Sequence, residues 1–175
     1  SLSLREVARE AGIAPTSFYR HFSELDELGL ALVDEGGVAL RQLMRQARKR
    51  IARNGSAIST SVDTFMEYLG NNSNLFRLML RESTGVSKPF RTAIKAEIDH
   101  FVTELAADLA RIADEEKRPL SDSKLVADAM VTLVFNQGAE ALDATPSEKE
   151  TLKDKLKTEL RMILVGSRTI ARHKR

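Results

Sequence analysis

Apolar residues recur at spacings of three and four along nearly the whole chain, whereas runs of alternating β-branched residues are absent. Spacings of three and four place apolar side chains on one face of an α-helix, while strict alternation is typical of a half-buried strand. The pattern therefore predicts an all-α protein without strands.

Glycine, asparagine and proline divide this pattern into separate helices. Gly12 breaks the first helix, which we expect from about Leu4 to Ala11, and a long helix from about Glu24 to Arg53 ends before an Asn-Gly pair. The remaining interruptions are Asn71-Asn72-Ser73, Ser87-Lys88-Pro89, Pro119 and Pro146. Pro89 and Pro146 suit a first helical turn, where the N–H that proline lacks would have no partner.

The helix predicted from Pro89 to about Ile112 carries a single apolar stripe, as expected when one helix face is buried. The stripe consists of Phe90, Ile94, Ile98, Phe101, Leu105, Leu109 and Ile112. In the next helix, apolar residues between Val126 and Phe135 cover most of the circumference. That helix is predicted to be buried on two sides.

The last helix, from about Pro146 to His173, is apolar on one face and charged on the other. With the preceding helix it predicts a dimerisation pair, because antiparallel pairs from two subunits can close a four-helix bundle. The expected interface residues are Val126, Leu133, Leu156, Leu160, Ile163 and Leu164. Packing of the same helices within one chain is the alternative.

Composition removes several classes of protein. The chain has no cysteine, which excludes structural disulfides, thiolate metal sites and cysteine nucleophiles. No apolar run approaches the roughly 20 residues that span a bilayer, and no signal peptide opens the sequence. We therefore expect a soluble, cytoplasmic protein that is large enough to bury a core without a metal.

The distribution of charge is more informative than its sum, because 27 basic and 25 acidic residues leave a net charge of only +2. One block, from Arg41 to Arg53, holds six basic residues and no acid. It admits three interpretations: a solvated helix face, a docking site for coenzyme A phosphates or an acidic acyl carrier protein, or a non-specific DNA contact. The last is weakest, because the block lies far along a long helix from the first residues.

The first 22 residues carry the most specific pattern, a helix, a turn at Gly12 and a second short helix from Pro15 or Thr16. This arrangement sets a second helix across a DNA major groove while the first braces it. The apolar inside would consist of Val7, Ala8, Ala11, Ile13, Phe18 and Phe22. The candidate DNA-binding residues are Arg5, Thr16, Ser17, Tyr19, Arg20 and His21.

Residues 8–22, AREAGIAPTSFYRHF, followed by Leu-Asp-Glu-Leu at 25–28, closely resemble the recognition segment of the TetR family. The likeness continues through residues 29–55, 64–72 and 76–85 toward the FabR group, the bacterial repressors of unsaturated fatty acid synthesis. The resemblance implies a helix-turn-helix domain at residues 1–27 and a larger helical domain at 28–175 for ligand binding and dimerisation.

For individual residues, the resemblance implies that Thr16 and Ser17 lie near DNA, that Tyr19 and His21 meet phosphates, and that Phe22 is buried. One departure concerns Leu25, where many members of the family have a lysine that contacts a phosphate. A second departure is the first helix of the family's DNA-binding domain, which is missing here. We therefore expect about 25–35 further residues upstream, including a basic arm.

Two helices, residues 58–69 and 75–80, are more apolar than one core face requires, which suggests a cavity for a slender acyl chain. The candidate pocket residues are Val62, Phe65, Met66, Leu69, Phe76, Met79, Leu80, Phe90, Ile94, Phe101, Met130 and Phe135. A filled core is the alternative for any one of them. The resemblance implies a long-chain acyl-CoA or acyl-acyl carrier protein as effector, and no cofactor.

The sequence shows no residue pattern that favours an enzyme. His100 has Glu97 and Glu104 at helical spacing, but a histidine between carboxylates on a charged face favours a surface ion pair over a metal or acid–base site. No glycine-rich phosphate loop, serine nucleophile elbow or paired-carboxylate site is visible.

We therefore expect a homodimeric, non-enzymatic repressor that binds palindromic operator DNA of fatty acid synthesis genes and responds to a long-chain acyl thioester. One alternative is a TetR-type regulator of efflux or catabolism with another apolar effector. The other alternative is a helical module that binds acyl lipid or acyl carrier protein and has no role at DNA.

Overall fold

The computed structural model describes residues 3–51 and 56–173, except for the side chains of residues 48–51. Within these residues the chain is all helical, as the periodicity predicted. The helices are α1 (Leu4–Glu10), α2 (Pro15–Phe18), α3 (Leu25–Ile51), α4 (Ala57–Asn71), α5 (Ser73–Ser83), α6 (Lys88–Glu115), α7 (Ser123–Ala141) and α8 (Pro146–His173). None of the described helices is both long and apolar enough to cross a membrane.

Short polar side chains begin most of these helices. The side chains of Ser56, Ser87 and Asp122 accept hydrogen bonds from backbone N–H groups in the first turns of α4, α6 and α7. At the start of α8, Thr145 and Glu148 form a reciprocal pair, since the Thr145 N–H donates to Oε2 of Glu148 at 2.7 Å. That hydrogen bond lowers the pKa of the Glu148 carboxyl. Each cap satisfies N–H groups that the helix itself leaves unpaired.

Helices α3 to α8 form two layers around one main apolar core. In that core, α4 and α8 contribute Val62, Phe65, Leu156 and Leu160, and α7 contributes Met130. The rings of Phe65, Phe76 and Phe135 lie close together, with centroids 5.7 to 6.2 Å apart. Such tilted or edge-on ring pairs add to the stabilisation that burial alone provides.

Helix α3 passes unusually close to α6. A Cβ atom added at Gly29 would meet the Phe90 ring, and one added at Gly37 would meet the Glu97 carboxylate. Glycine at both positions therefore permits the approach of the two helices. Val33, which lies between them on α3, is fully buried with Phe90 in a second apolar cluster.

A buried ion pair crosses the same contact. The Arg41 guanidinium on α3 pairs with the Glu97 carboxylate on α6, and these side chains are only 11% and 7% exposed. Glu104, seven residues after Glu97 on α6, lies 3.6 Å from Arg41 and 3.4 Å from Arg45. This group of four charged side chains, which we name the α3–α6 charge cluster, fixes the position of α3 along α6.

The cluster changes the interpretation of the basic block. Arg41 is buried and committed to a carboxylate, so the expectation of a solvated helix face fails at this residue. The alternation of burial along α3 turns Arg41 and Ala47 inward, while Arg45 stays half exposed. The side chains of Arg48, Lys49 and Arg50, and all of Arg53, lie outside the described residues.

We predict that Arg41→Ala lowers the free energy of unfolding by about 3–5 kcal/mol, because it leaves the Glu97 carboxylate buried without its partner. The matched control is Arg45→Ala on the same helix, whose side chain is 49% exposed and whose loss should cost about 1 kcal/mol or less. Urea denaturation at one fixed protein concentration measures both. Equal losses for the two variants would show that the pair is not buried in solution.

Candidate DNA-binding and effector sites

A capping box at Ser3 and a glycine turn at Gly12 fix the two ends of α1. Ser3 begins α1 with a capping box, in which its N–H donates to Glu6 Oε2 at 2.8 Å and its Oγ accepts from the Glu6 N–H at 3.3 Å. The hydrogen bonds from Ser3 lower the pKa of the Glu6 carboxyl, that from the hydroxyl most. The start of α1 is therefore fixed locally.

Gly12 ends α1 with a φ of +69°, a conformation that costs glycine little. The Ile13 N–H donates to the Ala8 carbonyl at 2.9 Å, and the Gly12 N–H donates to the Arg9 carbonyl at 3.1 Å. These two bonds form a Schellman motif, which reverses the chain within three residues. Pro15, in the first turn of α2, can then begin the second helix at once.

A small apolar cluster holds the two helices together and joins them to α3. Leu4, Ala8 and Phe18 are its buried members, and Val7, Phe22, Leu25 and Leu28 pack against it. Ile13, which the sequence placed inside, is instead exposed, because it follows the turn and points away from the cluster. Ala11 is exposed as well.

All six residues predicted to bind DNA are exposed: Arg5, Thr16, Ser17, Tyr19, Arg20 and His21. Five of them lie on α2 or within three residues of its end, opposite the buried Phe18. The short helix therefore offers hydroxyl, phenol, guanidinium and imidazole groups on one accessible side. These groups suit phosphates and base edges.

The structure shows what Leu25 does at the position where many members of the family have a lysine. Its side chain packs against the apolar cluster of the first two helices rather than extending outward. The start of α3 is capped nearby, since the Ser23 N–H donates to Glu27 Oε2 at 2.7 Å, and this bond lowers the pKa of the Glu27 carboxyl. Residue 25 therefore contributes an apolar contact between α3 and the first two helices.

Residues of α3, α4, α6, α7 and α8 line a cavity of about 340 Å³. Its wall is formed by the far end of α3, the start of α4, the second half of α6, and parts of α7 and α8. Most of the wall is apolar, with Phe65, Phe101 and Phe135 where the cavity meets the main core. Such a concave, apolar space has the size of a small-molecule site.

The cavity includes four of the twelve predicted pocket residues: Phe65, Phe101, Met130 and Phe135. The other eight lie outside its wall. Val62, Met66, Leu69 and Phe76 fill the main core, Met79, Phe90 and Ile94 fill the cluster between α3, α5 and α6, and Leu80 is half-buried on α5. The physical reason is the close approach of α3 to α6, which fills the space that the sequence left open for a ligand.

Several wall residues were missed by the sequence analysis. They include Met44 at the end of α3, and Leu105, Leu109 and Ile112 on α6. The apolar stripe of α6 was visible in the sequence, and its second half could have indicated this wall. Leu160 and Leu164 on α8, which were expected at a dimer interface, also line the cavity.

Charged side chains occur at one end of the cavity: Asp108, Glu116, Arg118 and Arg168. Arg168 on α8 donates to Glu116 Oε2 at 3.0 Å, and Arg118 lies 3.9 Å from the same oxygen. Asp108 pairs with Arg111 at 3.6 Å. We name Glu116, Arg118 and Arg168 the charged mouth of the cavity.

The six residues predicted for the dimer interface pack within the chain. Val126, Leu156 and Leu160 are buried in the main core, and Leu133, Ile163 and Leu164 pack against it. Different apolar side chains on α7 and α8 are exposed: Leu125, Met162, Val165 and Ile170. The inner face of the α7–α8 pair packs in the main core, so a second subunit would contact the outer face.

His100 belongs to an ion-pair arrangement rather than a separate site. Its Nδ1 atom lies 3.4 Å from Glu97 Oε1, while Glu97 is paired with Arg41 and Glu104 faces Arg41 and Arg45. Among residues 3–51 and 56–173, no group of three or more histidine, aspartate or glutamate side chains could hold a metal ion.

Two family models match this chain. Residues 1–32 match the bacterial regulatory proteins of the tetR family, and residues 54–163 match the tetracyclin repressor-like C-terminal domain. The first match covers the helix-turn-helix segment, and the second covers the walls of the cavity from α4 to α8. A helical lipid-binding module without a DNA role is therefore not supported.

Solved structures share the whole fold. A putative TetR-family regulator from Syntrophomonas wolfei str. Goettingen superposes with a TM-score of 0.76 at 13% identity, covering 94% of this chain and 85% of that one. One from Rhodococcus sp. gives 0.73 at 17% identity, with coverage of 93% and 87%. The fatty acid degradation regulator FadR from Bacillus halodurans gives 0.66 at 13% identity, with coverage of 93% and 87%.

At these identities the solved structures establish the fold alone, while the family models cover both parts of the chain. The fold and both domains are those of a regulator rather than an enzyme. Because the C-terminal model by itself spans residues 54–163, more than half of the sequence, the protein belongs to the TetR family and is a DNA-binding transcriptional regulator.

Proposed function

We propose that this regulator is a homodimeric repressor of fatty acid synthesis genes, of the FabR type. The acyl chain in its cavity would determine whether it binds or releases its operator DNA. The observation that carries the proposal is the mostly apolar cavity of about 340 Å³. The resemblance of residues 29–55, 64–72 and 76–85 to those repressors supports the choice of genes.

The size of the cavity favours a single acyl chain. A 150 Å³ cavity that binds benzene corresponds to about 25 Å³ per carbon atom. On that scale, the 340 Å³ cavity holds about 14 carbon atoms. The wall residues of α6 run from Phe101 to Glu116, a distance of about 22 Å along a helix, which is comparable with the length of an extended acyl chain. A coenzyme A or carrier-protein group would stay outside.

The DNA contacts of the proposal come from α2 and its end. Thr16, Ser17 and Arg20 face solvent next to Tyr19 and His21. Two copies in a dimer would read the two half-sites of a palindrome, about one helical turn or a small multiple of it apart. The proposed domain boundary at residues 27 and 28 falls inside α3, so the two parts share one helix.

That shared helix supplies the coupling. At its start, Leu25 and Leu28 pack in the helix-turn-helix cluster, and near its end Met44 lines the cavity. A ligand that displaces the Met44 end would tilt α3 and change the separation of the two recognition helices. It regulates only if it binds the DNA-competent and incompetent states unequally.

The outer face of α7 and α8 is the proposed dimer interface. Leu125, Met162, Val165 and Ile170 are exposed apolar side chains on this antiparallel pair. A two-fold axis would bring the same face of a second copy against them and close a four-helix bundle. These outward-facing residues replace, in the proposed interface, the six residues that the sequence predicted.

A second candidate keeps the operator function and changes the effector. The cavity wall carries aliphatic, methionine and phenylalanine side chains, and none of the described wall residues is specific to an acyl chain. A regulator of efflux or catabolism that responds to another slender apolar compound would have the same wall. Comparison of acyl-CoA with such compounds in the assays below separates the two candidates.

We predict that Arg20→Ala weakens operator binding by about tenfold to a hundredfold and reduces the salt dependence by about one unit of slope, if Arg20 contacts a phosphate or base. The protein as its gene encodes it is titrated with a palindromic promoter fragment at several salt concentrations. The control is Arg161→Ala, an exposed arginine on α8. A normal affinity for the Arg20 variant would remove this residue from the DNA surface.

We predict that Val134→Phe abolishes the response of operator binding to tetradecanoyl-CoA while leaving operator affinity in its absence within about twofold. Val134 is a half-buried wall residue, so the larger ring fills the cavity. The matched control, Val86→Phe, enlarges a side chain that is 99% exposed and should respond normally. An unchanged response in the Val134 variant would place the effector elsewhere.

We predict that Val165→Glu converts the dimer into monomers, because assembly would bury a carboxylate without a partner. Analytical ultracentrifugation at micromolar concentration measures the change, and Val86→Glu serves as the control with an added charge far from α8. A dimer that persists in the Val165 variant would contradict the proposed face.

A further inference from the structure

The charged mouth contrasts with the rest of the cavity wall. The three phenylalanines lie at the end that joins the main core, while Glu116, Arg118 and Arg168 come together at the end of α6. A cavity with one apolar end and one charged end is suited to an amphiphile rather than to a uniformly apolar molecule.

One carboxylate at the mouth is shared between two arginines. Glu116 lies 3.0 Å from Arg168 and 3.9 Å from Arg118. Asp108, which also lines the cavity, lies 3.6 Å from Arg111, and Arg111 pairs with Glu115 at 2.9 Å. Within the charged mouth, Glu116 therefore faces two guanidiniums.

Arg168 is the more buried of the two, with a side chain that is 20% exposed. Its Nε–H is buried and has no acceptor among the described residues. A buried guanidinium donor without an acceptor is costly, and an oxyanion placed across the same guanidinium can satisfy its remaining N–H groups. The side chain is thus incompletely paired at the position where a ligand would end.

Both arginines are held by backbone structure. Helix α6 ends in a Schellman motif, in which the Arg118 N–H donates to the Ala113 carbonyl at 2.8 Å and the Lys117 N–H to the Asp114 carbonyl at 3.2 Å. Lys117 adopts a φ of 54°, which is uncommon for a residue with a side chain. The turn directs Arg118 back toward α8, so its position does not depend on a loose loop.

The following segment is also tied to α8. The Ser121 N–H donates to the Ser167 Oγ at 3.0 Å, and the two hydroxyl oxygens lie 2.9 Å apart. Ser167 is buried and directly precedes Arg168. The connection between α6 and α7 is therefore held against α8 beside the charged mouth, which positions the backbone of both arginines before a ligand arrives.

We propose that the charged mouth is an oxyanion site: Arg168, with Arg118, binds the anionic group of an amphiphilic effector whose apolar chain fills the cavity. This inference rests on the proposed function only in taking the cavity as the effector site. The oxyanion belongs either to the carboxylate of a free fatty acid or to the phosphates of coenzyme A, and the two sources share the chemistry of arginine recognition.

The test compares dodecanoate with 1-dodecanol by isothermal titration calorimetry on the purified protein. The two probes share a chain of 12 carbons, within the estimated capacity of about 14, and differ in the charge of the end group. We expect dodecanoate to bind about tenfold more tightly, and we expect this preference, but not dodecanol binding, to weaken as salt increases.

Three variants assign the preference to residues. Arg168→Gln and Arg118→Gln should each reduce dodecanoate affinity severalfold to tenfold and leave dodecanol affinity unchanged. Arg161→Gln, on α8 but outside the cavity wall, should behave as the unmodified protein. Arg118 is exposed, so its variant keeps the test valid even if the Arg168 variant unfolds. Thermal unfolding identifies such a loss of fold.

The outcomes separate the two proposals. Equal binding of dodecanoate and dodecanol together with a dodecanoyl-CoA affinity that is unchanged in both arginine variants, or a carboxylate preference that survives in both variants, would overturn the oxyanion site and leave the cavity as an effector site. No binding of either probe would overturn the effector cavity itself. A third arm uses dodecanoyl-CoA: a loss of its affinity in the arginine variants without a carboxylate preference identifies phosphate as the oxyanion.

Discussion

Helix α3 is the constraint on which the rest of this structure depends, because it is the only described helix that belongs to both parts of the chain. Its 27 residues extend about 40 Å, from the apolar cluster of the first two helices to the wall of the cavity. Between these ends, the close approach at Gly37 and the buried Arg41–Glu97 pair hold it against α6. In the proposed mechanism, a change at the Met44 end of α3 would therefore move the end that packs against α1 and α2.

Much of the fold could be predicted because its signals are local. The spacing of apolar residues predicted every long helix, and Gly12, Pro89 and Pro146 marked boundaries within a few residues of the observed ones. The exposure of the proposed DNA-binding residues was equally predictable, because a four-residue helix behind a glycine turn leaves few ways to arrange Tyr19 and Arg20. The buried face of the helix-turn-helix segment was predicted less accurately than its exposed face, because the exposure of Ile13 depends on how the turn joins α1.

The cavity proposed as the effector site was harder to predict, because its position depends on which helices approach one another. Phe90 and Ile94 belong to an apolar stripe that also includes Phe101, and periodicity gives no sign that α3 covers only its first half. The same limit affected α8, where Leu160 and Leu164 looked like interface residues but face the interior. The charged mouth unites residues 116 and 118, at the end of α6, with residue 168 on α8, and no spacing in the sequence connects these two segments.

An operator titration tests the central claim most directly. A palindromic fragment from a fatty acid synthesis promoter is titrated with the protein as its gene encodes it, with saturated or monounsaturated acyl-CoA of equal chain length present. The account predicts specific, salt-dependent binding whose affinity differs between the two acyl chains. Specific binding that is identical with both would contradict control by fatty acids, and the absence of specific binding would contradict the repressor itself.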